Sequence, residues 1–272
     1  MGLFLRLWLL VSPNWRLRVY HILTRIGLRL YGPTLSPHRC FRLPFNLYAK
    51  TSKRGMTEPD AMRYVSEHTT MPIPRVIDAI PVEDGAVFVM TRISGEPMTG
   101  RITGFTEEER SFLASDLKQG FDQLRTLPPP NSGPLICGFD WGSFVCYRIN
   151  DDPIGPFGTE PEFYQFLYDH WHLKMQDHLK EFGRDVHSKK HRICFSHNDL
   201  CPHNIILDDN KRLAGVIDWE CAAWLPDYWE YTRACYYCQL GKEWQQMMVD
   251  VFGPWPEELR VEQEMWKYND PW

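Results

Sequence analysis

The chain has 272 residues, 43% hydrophobic and 24% charged, which excludes a disordered polymer and leaves room for one large domain or two lobes. Its net charge of -5 hides an asymmetry, because ten of the 30 Lys/Arg precede the first acidic residue, Glu58. Eight cysteines are too few for a disulfide scaffold in a chain this long and lack zinc-module spacing, so a reducing, cytoplasmic compartment is expected.

Residues 1–36 form a basic arm. Leu3 to Leu10 are apolar but interrupted by Arg6 and too short for a membrane span, which needs about 20 apolar residues. Gly2 invites a lipidation reading, but Arg6 stands where that motif wants Ser or Thr. From Trp15 to Tyr31 the spacing predicts a helix whose inward line is Val19, Ile22, Ile26 and Leu30, with Arg18, Arg25 and Arg29 mostly off it. Three readings are open: a helix packed on the body, peripheral contact with a membrane surface, and a mitochondrial leader, for which the arm is Arg-rich but Ser-poor. Nucleic-acid binding is not expected, since no recognised module accompanies the basic residues.

Beyond the arm, residues 37–93 read as strands with one inserted helix. Arg39–Leu43 and Asn46–Lys50 alternate around Pro44-Phe45 as two short strands. Thr57-Glu-Pro-Asp60 starts a helix with Thr57 as its cap, running to about His68. Arg75–Ile80 and Ala86–Met90 form a hairpin around Glu83-Asp84-Gly85. Residues 94–272 are mainly helical. Thr106-Glu-Glu-Glu109 caps a helix carrying Phe112, Leu113, Leu117, Phe121 and Leu124 to the core. An irregular stretch reaches about Gly158, and one helix is expected from Glu160 to Phe182. Ile205–Leu207 and Leu213–Ile217 flank a turn at Asp208-Asp-Asn210 and form a second hairpin. Cys235-x-x-Cys238 lies in an aromatic helical run, where both thiols read as small buried hydrophobes rather than a redox pair.

Chemistry concentrates around that second hairpin. In His197-x-Asp199-x4-Asn204 a carboxylate and an amide precede it, and Asp218 ends its second strand. Folding the hairpin brings Asp218 beside Asn204 and Asp199. Two carboxylates and a carboxamide are hard oxygen ligands suited to Mg²⁺, and a carboxylate left beside a substrate hydroxyl can accept its proton.

These residues resemble the aminoglycoside phosphotransferase and choline kinase-like branch of the protein-kinase-like superfamily, most closely its small fungal members. The resemblance runs from about Arg42 to the C-terminal region and includes Leu43–Lys50, Pro72-Ile-Pro-Arg-Val76, Val89–Gly95, Gly155-Pro-Phe157, Ile217-Asp-Trp-Glu220 and Pro226-Asp-Tyr-Trp-Glu230. It implies an α+β, bilobal fold: a small antiparallel-sheet N-lobe with one helix and a mainly helical C-lobe. It also implies an ATP- and Mg²⁺-dependent phosphotransferase acting on a small-molecule hydroxyl acceptor. By position, Asp199 resembles the catalytic base, with His197 beside it orienting the loop. Asn204 and Asp218 resemble the metal ligands. Lys50 stands at the ATP-phosphate lysine, Glu58 at its acidic partner with Asp60 as rival, and Met90, Thr91, Arg92 and Ile93 at the hinge against adenine. An amino-bearing acceptor would suit Glu160, Glu162, Asp169, Asp227 and Glu230 in the C-lobe. The pattern departs upstream of Lys50, where no glycine occurs between Pro33 and Arg54 to form a phosphate-covering loop. That departure supports the other class of function, a non-catalytic kinase-like binding module.

Overall fold

The structure, a computed structural model, describes all residues except 1–2, 35–38, 99–101, 130–131, 171–172, 237–240 and 269–272. Two helices lead, α1 (Leu3–Leu9) and α2 (Pro13–Tyr31), and four antiparallel strands follow: β1 (Cys40–Leu43), β2 (Leu47–Ser52), β3 (Val76–Val82) and β4 (Gly85–Thr91). Their sheet order is β1-β2-β4-β3, and the helix α3 (Thr57–His68) is inserted between β2 and β3. Strands β1 and β2 close through Pro44-Phe45-Asn46, where Phe45 and Asn46 both take positive φ.

Period-two alternation splits this sheet into two faces. Phe88 and Met90 point toward Met62 and Val65 of α3 and join the main core. Leu43, Ala49, Ile80 and Val89 point the other way, into a separate cluster covered by Trp8, Leu17, Tyr20 and Leu23 of the arm. Burying such a side chain is worth roughly 1.5–3 kcal/mol, so the arm is part of the fold and not an appendage. The inward line is not the one the spacing predicts. Ile22, Ile26 and Leu30 are exposed, and the buried positions of α2 are Arg16, Tyr20 and Gly27. Tertiary contacts explain the choice: Asp78 on β3 accepts hydrogen bonds from Arg16 and from Tyr20 Oη (2.6 Å), and Trp8 Nε1 donates to Tyr20 Oη (2.7 Å). Gly27 lets the helix cross β1 closely, since a Cβ there would lie 1.9 Å from the Arg42 carbonyl oxygen.

The strand β5 (Glu96–Pro97) leads out of this lobe to α4 (Glu107–Thr126), which starts with a full capping box between Thr106 and Glu109. Phe112 turns outward from α4, where the Arg212 guanidinium covers its ring at 5.0 Å, contrary to the expected core position. The stretch expected to be irregular holds short strands β6 (Cys137–Gly138), β7 (Phe144–Cys146) and β8 (Asn150–Ile154). The single helix expected over 160–182 is two, α5 (Glu160–Asp169) and α6 (Leu173–His187), packed on each other. Then come β9 (Ile193–Ser196), the hairpin β10 (Ile205–Leu207) and β11 (Leu213–Val216), β12 (Ala223–Pro226), and helices α7 (Trp229–Cys235), α8 (Gly241–Phe252) and α9 (Pro256–Trp266). Strands β6, β12 and β9 form one small sheet, and β11, β10 and β5 another.

Trp219, Trp224 and Trp229 are buried, as is Cys235, while Cys238 lies outside the described residues. A buried ion pair, Arg148 to Glu262 (2.8 Å), ties α9 beneath this core, and the Arg148 guanidinium stacks 4.6 Å from the Trp229 ring. Among the described residues no helix is long and apolar enough to cross a membrane.

Candidate active site

Three elements deliver polar groups to the junction of the two lobes. Lys50 projects from β2, Glu58 from the first turn of α3, and Asp218 from the end of β11. The Lys50 Nζ donates to Glu58 (2.7 Å) and to Asp218 (2.6 Å), so it bridges the lobes. Asp60, the rival partner, pairs instead with Arg63 on its own helix (2.7 Å). Thr57 does not cap α3, because its hydroxyl donates to Asp140 (3.1 Å) and Met56 takes the cap position. Burial by itself would depress the Lys50 ammonium, but Glu58 and Asp218 outweigh it and hold the group well above its usual range. Burial pushes Glu58 up to about 7 against the pull of Lys50. For Asp218, burial acts upward as well, and Lys50 overcomes it to leave the carboxyl below its ordinary value.

Asp218 adopts the left-handed backbone conformation (φ 67°), which short polar side chains tolerate best. Its side chain is still 36% exposed, so it opens onto the cleft while Lys50 and Glu58 are covered. Oxygens of Glu58, Asp218 and Glu220 lie within 4.8 Å of one another. This donor set is all hard oxygen with surplus negative charge, and it fits Mg²⁺. Glu220 is held by Arg39 and accepts from Tyr147 Oη (2.8 Å). Arg39 immediately precedes β1, on the stretch that leads out of the arm, and so brings a cation to this end of the cleft.

The catalytic-loop candidates are fixed from several directions. His197 Nε2 donates to the Ile217 carbonyl (2.9 Å), and its Nδ1 accepts the Asp199 backbone N–H (3.2 Å). Both ring nitrogens are therefore engaged, and one tautomer is selected. The Asp199 carboxylate accepts from Arg233 Nη2 (2.7 Å) and from Asn204 Nδ2 (3.1 Å). The Asn204 nitrogen also donates to the Asp199 carbonyl (2.9 Å), which commits the nitrogen to the loop and makes the amide oxygen the atom that could hold a cation.

Sequence reasoning missed Asn198, Arg233, Glu220, Tyr147 and Arg39. Asn198, also left-handed, donates to the carbonyls of Val145 (2.9 Å) and Cys221 (3.1 Å) and accepts from Trp229 Nε1 (3.0 Å). Its backbone N–H goes to Glu230 (3.0 Å). Glu230 is thus a buried brace of the loop, not an acceptor-facing acid. Of the other acids suggested for a cationic acceptor, Glu160 is buried on the His191 amide and Asp227 lies beside His191, whereas Glu162, which accepts from the Gly158 amide, and Asp169, which accepts from Gln165, remain exposed. Only the adjacency of Asn198 to His197 and Asp199 marked it in the sequence, and nothing local marked Arg233.

Of the hinge candidates, Met90 and Thr91 are the last residues of β4, and Arg92 and Ile93 lead on toward β5. The Thr91 N–H donates to the Arg75 carbonyl and the Arg92 N–H to the Asn46 carbonyl, both at 2.9 Å. Ile93 packs over Gly215 of β11, where a Cβ would lie 2.2 Å from its Cδ1. These contacts tie Thr91, Arg92 and Ile93 to Arg75, to the β1–β2 turn and to β11.

The fold is matched among known proteins. The solved structure of aminoglycoside phosphotransferase APH(3'')-Id from Streptomyces rimosus with ADP and streptomycin superposes with a TM-score of 0.56 at 17% identity, covering 93% of this chain and 99% of that one. A thermostable mutant of APH(4)-Ia in complex with AMP-PNP and hygromycin B gives 0.59 at 16% identity, covering 89% and 87%. ADP-bound APH(2'')-Ib gives 0.54 at 19%, covering 83% and 77%. No curated protein matches the chain by sequence. At these identities the likeness shows the fold, which is the kinase-like, two-lobed one. The model of the phosphotransferase enzyme family matches residues 36–262, most of the chain, and this protein belongs to that family.

Proposed function

We propose that this phosphotransferase moves the γ-phosphoryl group of ATP to a hydroxyl of a small molecule. The observation that carries the reading is the Lys50–Glu58–Asp218 bridge together with an Asp199 carboxylate held by Arg233 and Asn204, the two linked where the Ile217 N–H donates to the Asn204 carbonyl (2.9 Å). Lys50 would turn from Asp218 toward the nucleotide phosphates while Glu58 keeps it oriented. Met90, Thr91, Arg92 and Ile93 would flank the adenine. Asp218 and Asn204, with Glu220 behind them, would hold Mg²⁺, which neutralises phosphate charge when bound.

Asp199 is the group placed to align the acceptor hydroxyl and take its proton as the new O–P bond forms. His197 is a positioning residue, since both of its ring nitrogens hold the backbone around Asp199. Of the acids that would favour an amino-bearing acceptor, Glu160 and Glu230 are engaged inside the chain and Glu162 and Asp169 stay exposed, so an acceptor carrying amino groups remains part of this reading. Streptomycin and hygromycin B, bound in the similar structures, are the natural first probes. Titration with ATP, with and without Mg²⁺, tests the reading: Mg²⁺-dependent binding is expected. No ATP binding under either condition would refute it and leave a non-catalytic module.

A further inference from the structure

The arm has two faces, and the body uses only one. Its inner face is sealed by Arg16, Tyr20 and Gly27 on the sheet, with Arg16 Nε also closing onto the Val11 carbonyl (3.0 Å). On the opposite side of α2, Trp15 is 60% exposed, Ile22 55% and Ile26 39%. Their spacing of seven and four residues places them on one stripe. Leu10, 82% exposed, extends the apolar surface at the turn between α1 and α2.

Nine of the fourteen exposed large hydrophobics among the described residues fall between Leu7 and Tyr31, so the concentration belongs to the arm and not to the surface at large. Arg18, Arg25 and Arg29 follow the three apolar residues at the same seven-and-four spacing, three positions on, and are exposed beside them. The Arg18 guanidinium lies 4.9 Å from the Trp15 ring centroid. No acidic residue precedes Glu58, so the arm itself carries no negative side chain to oppose a negative partner.

We infer that the outer face of the arm docks on an anionic lipid bilayer. Trp15, Ile22 and Ile26 enter the headgroup boundary, and Arg18, Arg25 and Arg29 reach lipid phosphates. The chemistry selects a bilayer because it offers apolar depth and negative charge along the full length of one helix face, which is what this stripe presents. The arm covers the sheet face opposite α3, so the docked protein keeps its cleft open to solvent.

The test is co-sedimentation of the full chain with phosphatidylcholine vesicles, with and without about one-third phosphatidylserine. Binding is expected only with phosphatidylserine and should weaken by at least about tenfold in high salt, because the Arg–lipid attraction is screened. Trp15→Ser/Ile22→Ser/Ile26→Ser should lose most binding. Replacing Arg18, Arg25 and Arg29 by Gln should cost roughly a hundredfold in affinity for the phosphatidylserine vesicles. Neither variant should alter the melting temperature, since these side chains face water. Absent binding, equal binding to both vesicle types, or a concentration-dependent dimer abolished by the Ser variant would each overturn the inference. Vesicle binding is read without nucleotide, so its outcome is independent of the phosphotransfer reading.

Discussion

Replacing Asp199 by Asn separates chemistry from stability in a way the geometry makes quantitative. The side chain is buried, and its carboxylate accepts 2.7 Å and 3.1 Å hydrogen bonds from Arg233 and Asn204. Asn keeps the shape and one accepting oxygen but removes the charge opposite a buried guanidinium. A hydrogen bond to a charged group is worth about 1.5–3 kcal/mol, so the variant should lose approximately that much stability. For a chain of this size that is a fall of roughly 3–12 °C in melting temperature. The phosphoryl-transfer rate should drop by about two to four orders of magnitude, because the proton acceptor is gone. Adding Arg233→Met removes the guanidinium that has lost the Asp199 charge, and the double variant should regain part of the lost stability while staying inactive. The assays are thermal melting and ADP formation with streptomycin, hygromycin B and water as acceptors. Near wild-type turnover in Asp199→Asn would remove Asp199 from its role. A double variant no more stable than the single would show that the Arg233 pairing does not set the cost.

Asp218→Ala should weaken Mg²⁺-dependent ATP binding by at least about tenfold, measured by titration calorimetry, because the cleft-facing carboxylate is lost. Unchanged affinity would remove it from the metal site. Asp78→Ala should cost approximately 3–5 kcal/mol in unfolding free energy, since it strands Arg16 under the arm; a denaturant midpoint equal to wild type would show that the arm is not locked there. His187 stacks on Tyr164 at 4.0 Å and contacts Tyr168 Oη (2.5 Å), and burial depresses it from 6.5 to about 3. The folded protein therefore keeps it neutral while the unfolded chain takes up a proton. Its stabilisation is full above pH 6.5 and falls by up to about 1.4 kcal/mol per unit as pH drops from there toward 3. His187→Gln should flatten the melting-temperature profile between pH 6.5 and 5, and an unchanged slope would count against it.

The bounds of α3, the two hairpins at β1–β2 and β3–β4, the capping box at Thr106 and the order Lys50, Glu58, Asp199, Asn204, Asp218 are all legible in the residues. Each depends on local physics: side-chain period, helix-end chemistry, turn residues, or a motif a few positions long. The inward face of α2 is not of that kind. The helix carries apolar residues on both sides, and Val19, Ile22, Ile26 and Leu30 make the more regular line. Tertiary structure selected the other side, because Asp78 stands 62 positions from Arg16 and the Arg42 backbone comes within reach of Gly27. The acids proposed for an acceptor divide by the same rule: Glu160 and Glu230 are buried against the amides of His191 and Asn198, while Glu162 and Asp169 stay exposed. Arg233, 34 positions beyond Asp199, became the partner of that carboxylate only when the chain folded α7 back toward the loop. Periodicity reports that a surface is apolar or charged. Which opposing group meets it depends on chain segments far apart in sequence, and a buried charge is stable only where such a partner arrives.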